Sequence, residues 1–495
     1  MAYEQDTAYL RIFDPHQSPA HFEVMAGRFG AAVAAVDASR TYLDLGCGPG
    51  HSILALAPLY PWVQFIGVDF NQLHVEAARQ EAQRLDLDNV CVHQADFRQL
   101  PPDLPRAHYL VLRGTYSWLE STVRNAVERS LGELLLPAGL LKLHSIVRPG
   151  GLLRQTLMCV IQQALGDTAD PERGRQFLDE LVGECHGLEL CFSHAGKAIE
   201  LMRAESDEAW RHDILNPDFS IETAAQLFAR FEGLGLRFLA SANHERNLPL
   251  LQVGEGMARR LQALPPGRAQ TLLDHLSGNG TRDDLFLREP APTGPRRFAA
   301  PWRFGLIVLP HQAHQPHQTV RGQILFTHDD CRRILEVLAE TPLTFPELHR
   351  RLEPMAVESI VLWLDLLLAA RRIGPFLPAS QTGLADRGRL RRLNRERLRQ
   401  TVADLSVRTT TPLLAAEYGN CLVAGWFESL VLDQFERRHD PKVQQRLLQR
   451  IAKAGLNLGG SAGQARDDPS VAFRSRLRQL DQLYIPRLPY WGIEL

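Results

Sequence analysis

Lysine is nearly missing from this chain: Lys142, Lys197, Lys442 and Lys453 are the only ones among 55 lysines and arginines in 495 residues. An excess of charge is missing too. The 55 basic residues face 57 acidic ones for a net charge of −2, so no global field draws the chain to nucleic acid or to an anionic membrane. Long apolar runs are absent, since the most apolar window, Ile360 to Ala370, is short and interrupted by Asp365. It cannot span a bilayer. The opening Met1-Ala2-Tyr3-Glu4-Gln5-Asp6 has neither a basic region nor an apolar run, so no secretory signal is expected. Seven cysteines, an odd number without regular spacing, point to reduced thiols and a cytoplasmic location. Cys185-His186 with Cys191 and His194 fits no common zinc spacing, so no metal is expected.

What is present starts at Tyr42-Leu43-Asp44-Leu45-Gly46-Cys47-Gly48-Pro49-Gly50, an apolar run with one acid that ends in a glycine loop. The apolar residues suit a buried parallel strand, the glycines allow a tight turn against a ligand, and His51 to Leu59 has helical composition. A ligand carboxylate or ribose would then lie against free backbone N–H groups at a helix start. Cys47 inside the loop reads as a small packing residue rather than a nucleophile. Val63 to Val68 looks like a second strand, with Asp69 at its carboxyl end, where an acid bonds ribose hydroxyls. Asn71 caps a helix expected over Gln72 to Leu85. The turn Asp88-Asn89 leads to a third strand, Val90 to His93, ending in Gln94-Ala95-Asp96-Phe97. A carboxylate beside an aromatic there can accept from an adenine amino group while apolar atoms cover the ring. A fourth strand, Tyr109 to Leu112, runs into Arg113-Gly114-Thr115-Tyr116-Ser117-Trp118, and a fifth, Leu140 to Ile146, follows the turn Pro137-Ala138-Gly139.

Together these pieces resemble class I S-adenosylmethionine-dependent methyltransferases, over roughly residues 40 to 148. An NAD-dependent reading competes less well, because the loop is Gly-x-Gly-x-Gly rather than Gly-x-Gly-x-x-Gly and nothing resembles a hydride-transfer acid. The resemblance implies S-adenosylmethionine as cofactor. It implies that Asp44, Gly46 and Gly48 line the methionine part, with Leu45, Cys47, Gly50 and Arg113 around it. Asp69, with Phe70 beside it, would hold the ribose, and Asp96 with Phe97 would flank adenine.

A length of 495 residues suggests about three domains. Arg148-Pro149-Gly150-Gly151 ends the sheet, and a mixed helical region follows to about Leu201. An amphipathic helix carries Ala224, Leu227, Phe228 and Phe231 on one face, stopped by Gly233 and Gly235. Arg288 to Pro301 reads as a linker or exposed loop. Short helices from His328 to Phe376 are compatible with a winged-helix-like module. Seven arginines between Arg387 and Arg399, with Leu390, Leu393 and Leu398 interleaved, read as a solvated helix or as a contact for an acidic partner. The final segment, through Leu480, Leu483, Tyr484 and Trp491, is apolar enough to pack back on the chain. The expected fold class is α/β: a Rossmann-like methyltransferase domain over 1–160, a mainly helical middle domain over 161–320, and a C-terminal domain over 321–495, winged-helix-like at 328–376.

A narrower resemblance concerns Arg113-Gly114-Thr115-Tyr116-Ser117-Trp118 and His212-Asp213-Ile214-Leu215-Asn216-Pro217, the latter followed by a helix and Gly235-Leu236-Arg237-Phe238. These are similar to segments of bacterial methyltransferases that carry a methyltransferase regulatory domain, among them protein-lysine methyltransferases. The resemblance implies a protein acceptor, with lysine favoured. Few lysines of its own would suit such an enzyme, although genomic base composition is the simpler cause. Two departures stand out. Where family members often carry Tyr-Pro-Ser and Thr-His-Pro ahead of the core, as a lid over the cofactor, this chain has Asp14-Pro15-His16-Gln17-Ser18-Pro19-Ala20-His21. His16 and His21 are candidates to replace that lid chemistry, with surface histidines the plainer reading. The other departure is Arg113, which stands where the family has histidine.

Methyl transfer from a sulfonium is an in-line displacement that needs orientation and no covalent nucleophile. A lysine acceptor must lose a proton, which at pH 7 costs roughly 4 to 5 kcal/mol from an unperturbed pKa near 10.4. An aromatic, apolar channel lowers that cost. Tyr116 and Trp118 are the candidate walls of such a channel, and packing under a neighbouring loop is the alternative for both. Glu120 and His144 are candidates to assist deprotonation. A small-molecule methyltransferase, with the later domains as lid or homodimer contact, and a non-catalytic cofactor-binding regulatory protein are the competing functional classes. Nucleic acid is not an expected partner.

Overall fold

The apolar runs with an acid at the carboxyl end become the central strands of one sheet. They are β1 (Arg40–Leu45), β2 (Val63–Asp69), β3 (Val90–Gln94), β4 (Ala107–Leu112) and β5 (Leu135–Ile146). Two later strands join them, β6 (Leu236–Ser241) and β7 (Thr281–Arg288), and the order across the sheet is β3-β2-β1-β4-β5-β7-β6. β1 to β5 are parallel and β7 runs antiparallel between β5 and β6. Tyr42, Leu43 and Leu45 are fully buried, as expected of a parallel strand covered on both faces. The strand order reverses between β1 and β4, so the crevice for a ligand opens at the carboxyl ends of these two strands.

The computed structural model describes residues 13–31, 39–166, 170–184, 186–193, 195–291, 298, 301–403, 405–406, 410–458 and 468–495. The chain divides into two units. One takes Met1–Ala57, Trp62–Phe298 and His317–Ile324, and the other Pro58–Pro61, Ala299–Pro316 and Leu325–Leu495.

In the first unit the stretch expected to be a helical middle region is helical from Gly151–Leu165 to Ala195–Arg203, but it also supplies β6 and β7. β7 is hard to recognise because its first half reads Arg282-Asp283-Asp284. The structure explains how such a sequence is buried: Arg282 pairs with Asp274 at 3.0 Å and Asp284 at 2.6 Å, and all three side chains are sealed from solvent. The amphipathic helix runs Ala224–Glu232 behind a Thr223/Gln226 capping box. Its Phe228 and Phe231 stack on Phe238 and Phe286 of the added strands, with ring centroids 4.0 and 4.9 Å apart. Each such buried ring contributes about 1.5–3 kcal/mol.

In the second unit the strand Arg303–Leu306 lies between Leu343–Thr344 and Ile373–Phe376, with helices Asp329–Glu340, Phe345–Leu352 and Val357–Ala369. These helices occupy the stretch expected to be winged-helix-like, and the strand that pairs with their flanking strands lies before the expected residue 328. The arginine-rich helix, Arg387–Ala403, buries Leu390, Leu393 and Leu398. Three of its seven arginines find carboxylates within the unit. Arg387 pairs with Glu417 at 2.8 Å, Arg395 with Glu436 at 2.5 Å and Arg391 with Glu494 at 3.4 Å, all within this unit. Leu477, Leu480 and Trp491 pack into the same core. Among the described residues no helix is long and apolar enough to cross a membrane.

Candidate functional site

The glycine loop after β1 encloses one side of a cavity of about 360 Å³ at the carboxyl ends of the central strands. Gly46, Gly48 and Gly50 adopt φ of +80°, +55° and +77°, a region that penalises any Cβ. They differ in what surrounds them. A Cβ on Gly46 would strike the Thr115 side chain, whereas one on Gly48 would meet nothing within 4 Å. Within the loop itself the N–H groups are already engaged. Gly46 and Cys47 donate to Val68 O at 2.8 and 3.2 Å, Gly50 to Cys47 O at 3.1 Å and Gly48 to Asp69 Oδ2 at 2.8 Å. The helix behind the loop is also short, His51–Leu56. The loop therefore offers shape rather than donors.

Donors and acceptors come from the strand ends. Asp69 is held by Gly48 N through Oδ2, and by Asn71 N at 2.9 Å and His74 Nδ1 at 3.1 Å through Oδ1, so its carboxylate is fixed in direction before any ligand arrives. Asp44 lines the cavity with 5% of its surface exposed. Burial pushes its carboxyl up to about 7, and the Arg113 and Lys142 cations offset this only in part. Asp96, after β3, is gripped by Arg98, whose Nη2 lies 2.5 Å from Oδ2, and this hydrogen bond holds the carboxyl below its ordinary value. Phe70 and Phe97 also line the cavity. Burial, then Asp69 and Asp44, push the Cys47 thiol well above its usual range, which suits packing and not nucleophilic attack.

Below Asp44 lies a buried ion cluster. Lys142 on β5 is sealed from solvent between Asp14 at 2.5 Å and Asp283 at 2.8 Å, and Arg113 Nε reaches Asp14 Oδ2 at 3.3 Å. Burial opposes the charge on Asp14, but Lys142, with His16 and Arg113, holds its carboxyl well below the usual range. Asp14 thereby ties the segment ahead of the sheet to β5 and orients Arg113 at the cavity rim.

Of the residues singled out in the sequence, Asp44, Gly46, Cys47, Gly48, Asp69, Phe70, Asp96, Phe97, Arg113, Trp118 and Glu120 line this cavity. Leu45 and Gly50 are buried behind it. Tyr116, expected as a channel wall, is turned into the core, where its hydroxyl donates to Glu128 at 2.6 Å and its ring meets Phe231. His144, His16 and His21 do not line the cavity, and His21 Nε2 sits 2.7 Å from Ala242 O. Cys185 and His194 lie outside the described residues, among which no group of three His, Cys, Asp or Glu side chains is placed to hold a metal ion.

Sequence reading missed Gln17, His74 and Asp218 as lining residues, together with the lining roles of His212, Asp213 and Asn216. A signal existed for the last three. The motif that opens at His212 forms a π-helical turn, Trp210–Ile214, a form common at functional sites. It is fastened to the β4 loop where Ser220 N donates to Ser117 O at 2.9 Å and Asn216 Nδ2 to Trp118 O at 3.4 Å. Gln17 lies inside the Asp14-to-His21 segment quoted above, where only His16 and His21 stood out as candidates.

Comparison with known proteins agrees with this geometry. Residues 37–153 match the family model of a methyltransferase domain. An uncharacterised protein of Synechocystis sp. is 22% identical over 319 residues, covering 62% of this chain and 63% of that protein. A trans-aconitate 2-methyltransferase of Azoarcus sp. is 30% identical over 148 residues, covering 30% of this chain and 48% of its own length. The chain thus spans less than two thirds of these curated relatives. The solved structure of PKMT2 from Rickettsia typhi superposes with a TM-score of 0.69 at 14% identity, covering 96% of this chain and 97% of that one. Its complex with AdoHcy gives a TM-score of 0.65. The fold is that of a class I methyltransferase, and the cofactor of such a domain is S-adenosylmethionine. The residues present fit it. Gly48 and Gly114 turn backbone without Cβ toward open space, and the buried amide oxygen of Gln17 at the cavity wall has no hydrogen-bond partner among the described residues.

Proposed function

We propose that this protein transfers a methyl group from S-adenosylmethionine to a protein side chain, with lysine as the favoured acceptor. The observation that carries the reading is the continuity of the cavity: the glycine loop and Asp69 share it with Trp118, Glu120 and Asp218. When bound, the cofactor supplies a methyl on a sulfonium, open to in-line displacement. Asp69 holds the ribose hydroxyls, Asp96 with Phe97 and Phe70 flanks the adenine, and Asp44 with Arg113 takes the charged amino-acid end. Gly46, Cys47, Gly48 and Gly50 shape the loop, with Leu45 packed beneath it.

On the acceptor side Trp118 is flanked by Phe219, with centroids 4.6 Å apart, and by the Arg154 guanidinium at 5.4 Å, which itself lies 3.7 Å from Asp213. A cation is drawn to the face of such a ring, as Arg154 already is. Glu120 and Asp218 add negative charge there, and Glu120 is the remaining candidate to receive the proton of an acceptor ammonium. Both features favour an amine over an anionic metabolite. The fold likeness over nearly the whole chain to PKMT2, a protein-lysine methyltransferase, supports the same direction. The later residues then present the substrate. The third helix of the winged-helix-like module, Val357–Ala369, carries Glu358 and Asp365 and no basic residue, which suits a protein contact better than phosphate.

The test is incubation of the purified protein with methyl-labelled S-adenosylmethionine and lysate from its own source, divided into protein and metabolite fractions, with Asp69→Ala as control. Label in a discrete protein band that the variant loses is the expected result. Label confined to metabolites would replace the protein acceptor by a small one.

A further inference from the structure

We propose that Gln17 is a binding residue for the amino-acid end of the cofactor, accepting a hydrogen bond from its ammonium through Oε1. The inference rests on the cofactor reading above and adds to it a residue that the Asp14-to-His21 segment contains but does not single out. Gln17 lines the cavity with Asp44, Gly46 and Arg113, yet only 1% of its surface is exposed. Its Oε1 is buried and has no hydrogen-bond partner among the described residues. A buried amide oxygen is rarely left unpaired unless a ligand or water completes it.

The placement of Gln17 is rigid, which a binding role requires. It ends a 3-10 turn, Pro15–Gln17, capped by Asp14, whose carboxylate accepts from His16 N at 3.0 Å. Gln17 N donates to Asp14 O at 3.1 Å, and Gln17 O accepts from the Tyr42 hydroxyl at 3.1 Å. Asp14 is itself bound to Lys142 and Arg113. Backbone contacts on both sides fix Gln17 in place, and its side-chain Oε1 is left buried without a partner among the described residues.

The chemistry of the neighbours selects the ligand group. Arg113 offers a cation suited to a carboxylate, while Asp44 and the Gln17 oxygen are acceptors suited to an ammonium. An α-amino acid carries both groups two bonds apart. Asp44 alone is a poor anchor for the ammonium, since burial leaves its carboxyl only partly ionised near neutral pH. A neutral amide oxygen accepts at any pH. Gln17 and Asp44 therefore complement each other, Gln17 as a constant acceptor and Asp44 as a charge that depends on pH. The chemistry at this lid segment then comes from Gln17, with Asp14 as its anchor, and not from His16 or His21.

Calorimetric titration of the full chain with S-adenosylhomocysteine and with 5′-methylthioadenosine, which lacks the amino-acid end, tests the assignment. Gln17→Leu keeps the volume and removes both polar atoms. Its affinity for S-adenosylhomocysteine should fall about tenfold to a hundredfold, as expected for a lost hydrogen bond to a charged group, with methylthioadenosine binding within twofold of wild type. Gln17→Glu, which keeps an acceptor oxygen, should retain most of the affinity for S-adenosylhomocysteine. Unchanged binding of both ligands by Gln17→Leu, or an equal loss for both, overturns the role of Gln17 and leaves the cofactor reading standing. Wild-type protein that binds neither ligand overturns both. Methylthioadenosine binding by the variant also reports that its fold is intact.

Discussion

The two ends of the cavity are built in different ways. At the glycine-loop end most walls are strand termini or the turns that leave them: Asp44 is the last residue but one of β1 and Asp69 closes β2, while Gln17 comes from a 3-10 turn whose Asp14 is anchored by the buried Lys142 of β5. At the Trp118 end the walls come from stretches a hundred residues apart, 118–123 and 212–218, joined by loop hydrogen bonds. The first end has its geometry set by the sheet. The second depends on how a helical segment docks, and that is where an acceptor would differ from one protein to another.

The largest contrast is expected in stability. Lys142→Met leaves Asp14 and Asp283 buried without their shared cation and should cost about 3–5 kcal/mol, seen as an earlier urea midpoint with unchanged slope. Arg154→Met removes a half-exposed cation 3.7 Å from Asp213 at the other end, and should change stability by no more than about 1 kcal/mol. Equal effects would mean that the ion cluster is solvated and that the two ends are alike.

The next contrast lies within the loop. Gly46→Ala meets both a φ of +80° and the Thr115 side chain, and should lose about 2–4 kcal/mol of stability. Gly48→Ala meets only the backbone penalty, about 1–2 kcal/mol, because its Cβ enters open space. It should stay folded while S-adenosylhomocysteine affinity drops, as calorimetry would read. If Gly48→Ala binds as well as wild type, the space beside Gly48 is not where the cofactor lies.

The same difference explains what was legible in the sequence. Asp44, Asp69, Asp96 and the loop glycines could be named because each residue type answers a local demand: a positive φ, or an acid at the end of a buried strand. β7 was lost because Arg282-Asp283-Asp284 reads as surface, and only long-range pairing with Asp274 and with β5 makes it interior. Tyr116 was misplaced because a small offset along an irregular loop decides which ring meets the cavity and which meets Glu128. Within the Asp14-to-His21 segment nothing set Gln17 ahead of His16 and His21. Its position follows from Asp14 and Tyr42, partners that no spacing rule connects. The short helices of 329–369 were visible from helix spacing, but the strand Arg303–Leu306, which pairs with the strands flanking them, is too short to recognise before its neighbours are known.

A third experiment separates the ends by ligand. Trp118→Leu should lower kcat/KM for a protein acceptor about tenfold or more, the scale of a lost desolvated cation–π contact, while S-adenosylhomocysteine affinity stays within about twofold. A parallel loss of cofactor affinity would show that the ends are not separable.

The smallest effect, and the one most specific to the glycine-loop end, is on pH. Because burial raises the Asp44 carboxyl to about 7, the folded protein holds a proton there between its ordinary range near 4 and pH 7. Asp44 therefore favours the fold toward the acidic side of that window, and this contribution declines as pH rises through it. Cofactor affinity has the opposite sign. The ammonium pairs with the ionised carboxylate, so binding releases a proton, and affinity should rise about tenfold between pH 6 and pH 8 and then level. Titrations in buffers of different ionisation enthalpy would count that proton. Asp44→Asn should flatten the profile without moving the Trp118-dependent acceptor step, whereas a profile that keeps its slope in this variant would assign the titration to another group.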